Sequence, residues 1–164
     1  MKTGDMRQEL VQLGGGAHAL AIQILGNSAD AADAVHDAFA TALSKPDAFD
    51  SSKGKLKPWF LRVVRNRCFD MLRRRRPSDM SVDELVDAAA TPEQSLEMSQ
   101  RDRAVRRALA SISSDQRQII ILRDYLDLSY SEIADVLNVA QGTVMSRLHR
   151  SRLALKKVFD SYDQ

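Results

Sequence analysis

Apolar positions recur at intervals of three and four along most of the chain, and no stretch sustains the strict alternation that a half-buried strand needs. The pattern predicts an all-α protein. A first helix is expected over about Arg7 to Leu25, closed at Gly26 and Asn27, two residue types that accept the left-handed backbone of a helix end. A second begins near Ser28, with Asp30 and Asp33 at the positive end of its dipole and with Ala32, Val35, Phe39 and Leu43 on one stripe. Its other face carries Asp30, Asp33 and Asp37. Residues 44–57 are rich in Pro, Asp, Ser, Gly and Lys, which is loop chemistry. Pro58 then opens a third helix with Leu61, Val64, Cys68 and Leu72 at helical spacing, running into Arg73 to Arg76 and stopped by Pro77.

Residues 78–90 have no sustained period and read as a linker. Thr91, Pro92, Glu93 and Gln94 then supply a threonine cap, a first-turn proline and a capping-box glutamine for a helix reaching about Ser111. The same signal recurs at Ser113 with Gln116, for a helix through Leu126, and at Ser129 with Glu132, for a short helix to Leu137. A tight turn at Asn138 to Gly142 leads into a long last helix ending near Phe159. The expected organisation is two small helical domains, 1–77 and 95–164, joined by a flexible linker at 78–94.

The segment from Ser129 to Leu148 has the form of a helix-turn-helix. Small Ala134 allows close approach of the second helix, and Ile133, Leu137, Val139, Val144 and Leu148 can form the shared seam. Asn138 takes the turn position that tolerates a left-handed backbone. That packing leaves Gln141, Thr143, Met145, Ser146, Arg147, His149, Arg150 and Arg152 to divide between solvent and DNA. Arginine pairs bidentately with guanine, and serine and threonine commonly contact phosphate, so the helix is equipped for the major groove. A purely structural three-helix unit with a solvated basic face shares much of this pattern.

Composition changes the picture at one place. The net charge is only +2, but Lys53, Lys55, Lys57, Arg62, Arg65, Arg67 and Arg73 to Arg76 form a basic block between two acidic stretches. A polyanionic partner fits that block. Within it, Trp59, Arg62, Asn66 and Arg73 lie on the side of the third helix opposite its apolar stripe. An aromatic ring among cations and an amide suits unstacked bases, with stacking worth about 1 to 3 kcal/mol per base. A core position for Trp59, beside Phe60, satisfies the pattern equally.

Other classes fit less well. The single cysteine, Cys68, rules out an internal disulfide framework. His18, His36 and His149 lack metal-ligand spacing, and no nucleophile stands beside an obvious base, so neither enzyme chemistry, metal nor cofactor is expected. No apolar run is long enough to cross a bilayer and no secretory signal opens the chain, so a cytoplasmic protein without membrane insertion is expected.

Three blocks in order, Gly26 to Phe39, Pro58 to Arg76, and Glu132 to Arg152, resemble the extracytoplasmic-function sigma factors of bacterial RNA polymerase, over nearly the whole chain. The resemblance implies that residues up to 77 bind the polymerase clamp and the −10 promoter element, and that residues 95–164 bind the −35 element. It implies a polymerase-binding role for Asp30, Asp33 and Asp37. It implies that Phe49, Lys55, Lys57, Trp59, Arg62, Asn66 and Arg73 hold melted −10 DNA, and that Met145, Ser146, His149 and Arg150 read −35, with Arg147 on phosphate. Core RNA polymerase, promoter DNA and an anti-sigma factor are the implied partners. The chain departs from the family at Ala32, where an acid is commoner, at His36, where glutamine is, and at Met145, where a basic residue is. A stand-alone helix-turn-helix regulator of duplex operators explains residues 113–159 but not the Trp59 to Arg76 helix.

Overall fold

The computed structural model describes residues 2–75 and 99–162, and every regular element among them is helical. Helix α1 spans Thr3–Leu25, beginning before the expected Arg7, and ends at Gly26, whose φ of 84° lets its N–H donate to the Ile22 carbonyl at 3.0 Å. Asn27 is not part of that stop. It is extended, and its side chain accepts from the Asp30 N–H at 2.8 Å, so it caps α2, Ser28–Ser44. The amide oxygen does more as a cap than the residue could as a second left-handed position.

The packing stripe of α2 also differs from expectation. Ala31, Ala34, Val35, Ala38 and Ala42 are buried, Phe39 and Leu43 are half-buried, and Ala32 is exposed. Alanines let α2 lie close to α1 and α3, so the small residues take the core, while Phe39 stacks on Phe60 of α3 with ring centroids 5.0 Å apart. Gly14 of α1 serves the same closeness, since a Cβ there would stand 3.3 Å from Phe39 Cζ.

Helix α3 spans Leu56–Arg74, with Pro58 in its first turn and Leu61, Val64 and Cys68 buried as the spacing predicts. Burial pushes the Cys68 thiol up to about 12, so it is an apolar filler rather than a nucleophile. Arg75 turns out of the helix to donate to the Leu25 carbonyl at 2.7 Å and to pair with Asp30. Pro77, the linker at 78–94 and the Thr91 to Gln94 cap lie outside the described residues.

Helix α4, Gln100–Ala110, is capped by Ser99. Helix α5, Ser114–Ile120, opens with the Ser113 and Gln116 capping box and continues as a wider turn over Ile121–Tyr125, ending at Leu126. Helix α6, Tyr130–Leu137, opens with the Ser129 and Glu132 box and ends at Asn138, which is left-handed with φ 55°. Helix α7, Gln141–Tyr162, extends past Phe159. Ile133, Val144 and Leu148 are buried between α6 and α7, with Ala134, Leu137 and Val139 packed beside them.

The two expected helical domains, on either side of residues 76–98, are present and meet through apolar residues. One apolar core runs from Met6 and Leu10 of α1 through Phe60 and Val64 of α3 to Leu122, Leu126 and Ile133. Replacing Ser113 or Ser129 with alanine removes a box from a helix of seven or eight residues. Each change is expected to lower unfolding free energy by about 1 kcal/mol, read as a drop in urea midpoint. Unchanged midpoints would show that the caps carry no stability.

Candidate nucleic-acid interface

Helix α7 buries Val144, Leu148 and Ser151 on one row. At 3.6 residues per turn the opposite row holds Ser146, His149 and Arg150, all exposed, with Gln141, Met145 and Arg147 exposed on the flanks and Thr143 half-buried. Met145 is 55 % exposed, unusual for a large apolar side chain, and the core makes no use of it. The Ser146 hydroxyl donates to the Thr143 carbonyl at 3.2 Å and keeps its oxygen outward as an acceptor. Arg152 is committed elsewhere: its guanidinium bonds Asp124 through Nε at 3.2 Å and a second nitrogen at 2.5 Å. The outward face is therefore that of Ser146, His149 and Arg150, a donor-rich row with the width of a groove-reading helix.

The second surface is a cleft of about 330 Å³ between the loop before α3 and α3 itself. Phe49, Asp50, Lys53, Lys55, Trp59 and Arg62 contribute to its wall. The loop is shaped locally. Ser52 donates its N–H and hydroxyl to Asp50 at 3.0 and 2.6 Å, bonds that hold the Asp50 carboxyl below its usual pKa, and Gly54 takes a φ of 156° that side chains rarely adopt. Trp59 is half-buried, its ring 5.3 Å from that of buried Phe49. Trp59 therefore both packs against Phe49 and lines the cleft.

Arg62, Asn66 and Arg73 follow Trp59 along the exposed side of α3, and Arg73 pairs with Asp70. Lys55 is exposed, whereas Lys57 is half-buried and donates to the Leu126 carbonyl at 2.5 Å. On α2, Asp30 pairs with Arg75 and Asp37 with Arg67 at 2.9 Å, and Asp33 is exposed. The acidic face thus keeps one carboxylate outward and ties two into α3.

Further charged residues line the cleft, and of these the sequence marked only Lys53, in the basic block. Asp50 and Lys53 enter the cleft through the loop's turn, and Asp135 enters it from α6, far away in the chain. The Ser-Ser-Lys-Gly turn after Asp50 was a usable signal for the first two. Nothing local marks Asp135. Among the described residues no group of three or more His, Cys, Asp or Glu is placed to hold a metal, and no helix is long and apolar enough to cross a membrane.

The exposed polar and basic row on α7 and the aromatic, basic cleft beside α3 are two surfaces whose chemistry suits nucleic acid. Comparison narrows the class. The chain matches the family models for Sigma-70 region 2 over residues 10–78 and Sigma-70 region 4 over residues 102–155. It is 32 % identical to the ECF RNA polymerase sigma factor SigL of Mycobacterium tuberculosis, over 83 % of this chain and 78 % of that protein. It is 28 % identical to the ECF RNA polymerase sigma factor SigW of Bacillus subtilis, over 85 % and 81 %. Among solved structures, the sigma factor RpoE of Bartonella quintana, crystallised with the anti-sigma factor NepR, superposes with a TM-score of 0.77 at 29 % identity, covering 95 % of this chain and 97 % of that one. CnrH, in complex with the cytosolic domain of CnrY, shares the fold with a TM-score of 0.68 at 22 % identity, over 98 % and 90 %. The chain belongs to the ECF RNA polymerase sigma factors, alternative sigma factors that recognise promoters for transcription initiation.

The different commitments of the two arginines give a direct check on the α7 surface. Arg150→Ala is expected to reduce the salt slope of duplex binding by about 1, as loss of a phosphate or base contact does, while Arg152→Ala leaves the slope unchanged. Equal slopes for the two variants would place the DNA face elsewhere on α7.

Proposed function

We propose that α7 reads the −35 element in the duplex major groove through Met145, Ser146, His149 and Arg150, with Gln141, Thr143 and Arg147 on its flanks and backbone contacts. The cleft, with Phe49, Lys55, Trp59 and Arg62, holds −10 bases once they leave the stack, and Asn66 and Arg73 continue that surface along α3. Residues 1–77 carry the −10 and clamp contacts, 78–94 connect, and 95–164 carry the −35 contacts. Asp33, outward on α2, leads the polymerase contact, with Asp30 and Asp37 contributing the oxygens left free by their arginine partners.

The chain makes and breaks no bond itself. Base capture and phosphate contacts offset the unstacking of a few base pairs, at roughly 1.4 kcal/mol per step, and catalysis belongs to core polymerase. Such a subunit works in the cytoplasm, and an anti-sigma factor is its regulatory partner, in keeping with the complexes in which the neighbouring structures were solved. Met145 favours an apolar contact with a thymine methyl where a basic residue would seek guanine.

The observation that carries this reading is the Trp59 cleft, which a reader of duplex DNA alone does not need. Run-off transcription with core polymerase tests it. Trp59→Ala is expected to cut transcript yield without weakening closed-complex binding, and Arg150→Ala to weaken both. Tight sequence-specific duplex binding with no core association would instead identify a stand-alone regulator.

A further inference from the structure

The wider turn that ends α5 sets a carboxylate against α7. Over Ile121–Tyr125 the backbone leaves the α-helical pattern, the Leu126 N–H donating to the Ile121 carbonyl at 2.8 Å, and Asp127 just beyond is left-handed with φ 58°. Turns of this kind are rare within helices and concentrate at functional positions. This one is tied to α6, because Arg123 donates to the Leu128 carbonyl at 2.7 Å and lies over the Tyr130 ring, 4.9 Å from its centroid. Asp124 follows Arg123 in the turn.

Arg152 of α7 meets Asp124 as a fork, Nε to Oδ2 at 3.2 Å and Nη2 to Oδ1 at 2.5 Å. Hydrogen bonding to Asp124 holds the guanidinium above its usual pKa, against a smaller cost of burial. At 3.6 residues per turn Arg152 falls between the buried row of α7 and the flank that carries Met145 and His149. The buried row offers little grip at that level, since Ser151 is buried but its hydroxyl donates to the Arg147 carbonyl of its own helix at 2.7 Å.

An exposed ion pair contributes little to stability, so the worth of this one lies in direction. Two parallel hydrogen bonds fix an orientation that a point charge leaves free. With side chains reaching about 5 to 6 Å from the axis, a helix roll of roughly 20° carries a tip about 2 Å, more than a hydrogen bond tolerates.

We propose that Asp124 is a positioning residue for −35 reading: through the Arg152 fork it sets the roll of α7 and so aims Met145 and His149 at the base edges. It acts through Arg152 and needs no DNA contact of its own. The proposal rests on the reading of duplex by α7.

Core polymerase reconstituted with the full chain transcribes a barcoded pool of templates whose −35 and −10 elements are both random, and sequencing the transcripts gives the preference at each element. Arg152→Lys keeps the charge and loses the fork, while Asp124→Asn keeps the shape and loses the charge. Each is expected to cut the enrichment of the preferred −35 sequence over the pool mean about fivefold, and the double variant to cut it no further, because all three break one contact. Preferences at −10 and the urea midpoint of the free chain should stay at wild-type values. An unchanged −35 preference in both single variants overturns the proposal, as does a multiplicative loss in the double variant or a flattening of both elements together. Arg150→Ala, run beside them, separates the two failures. A −35 preference that Arg150→Ala also leaves intact overturns the α7 reading itself, whereas one flattened by Arg150→Ala alone overturns only the role of Asp124.

Discussion

The C-terminal end of α1 is the point on which both proposed DNA surfaces depend. A helix leaves its last carbonyls without partners of its own, at the negative end of its dipole. Here Gly26 takes the Ile22 carbonyl, Ser114 and Arg117 take Gln23, and Arg75 takes Leu25. Three of those donors come from other elements and two are arginines, so one helix end fixes α3 on one side and α5 on the other. The apolar contact of Leu126 with α1, made more than two turns earlier at Gly16, adds about 2 kcal/mol by burial.

From that seam the electrostatics follow. The chain is nearly neutral, yet Asp135 of α6 lines the cleft with Lys53 and Lys55, and Asp37 and Asp30 of α2 pair with Arg67 and Arg75. Part of the charge is thereby paired internally, and the groups left outward include Asp33 on α2, Arg62 and Asn66 on α3, and the Ser146, His149 and Arg150 row on α7.

Helices and their ends were legible in the sequence where a side chain signals by its own chemistry. Ser113 with Gln116, Ser129 with Glu132, and Asn138 each do in the fold what their types and spacing predict. The α2 stripe was misread because alanine scores as weakly apolar wherever it stands, and only the neighbours decide which alanines are buried. Trp59 was placed only by the fold, which sets it against Phe49 and in the wall of the cleft. Gly16 under Leu126, Lys57 on the Leu126 carbonyl, and Asp135 in the cleft carry no local signal at all. They are tertiary contacts between distant residues, and each partner alone has an ordinary local explanation.

The division between duplex reading by α7 and base capture at the Trp59 cleft is tested most directly by permanganate reactivity of −10 thymines in complexes with core polymerase. Wild-type complexes should show reactive thymines. Arg150→Ala complexes should show them once protein concentration restores occupancy, and Trp59→Ala complexes should lack them even at full occupancy. Thymines equally reactive in saturated Trp59→Ala complexes would contradict the assignment of melting to the cleft.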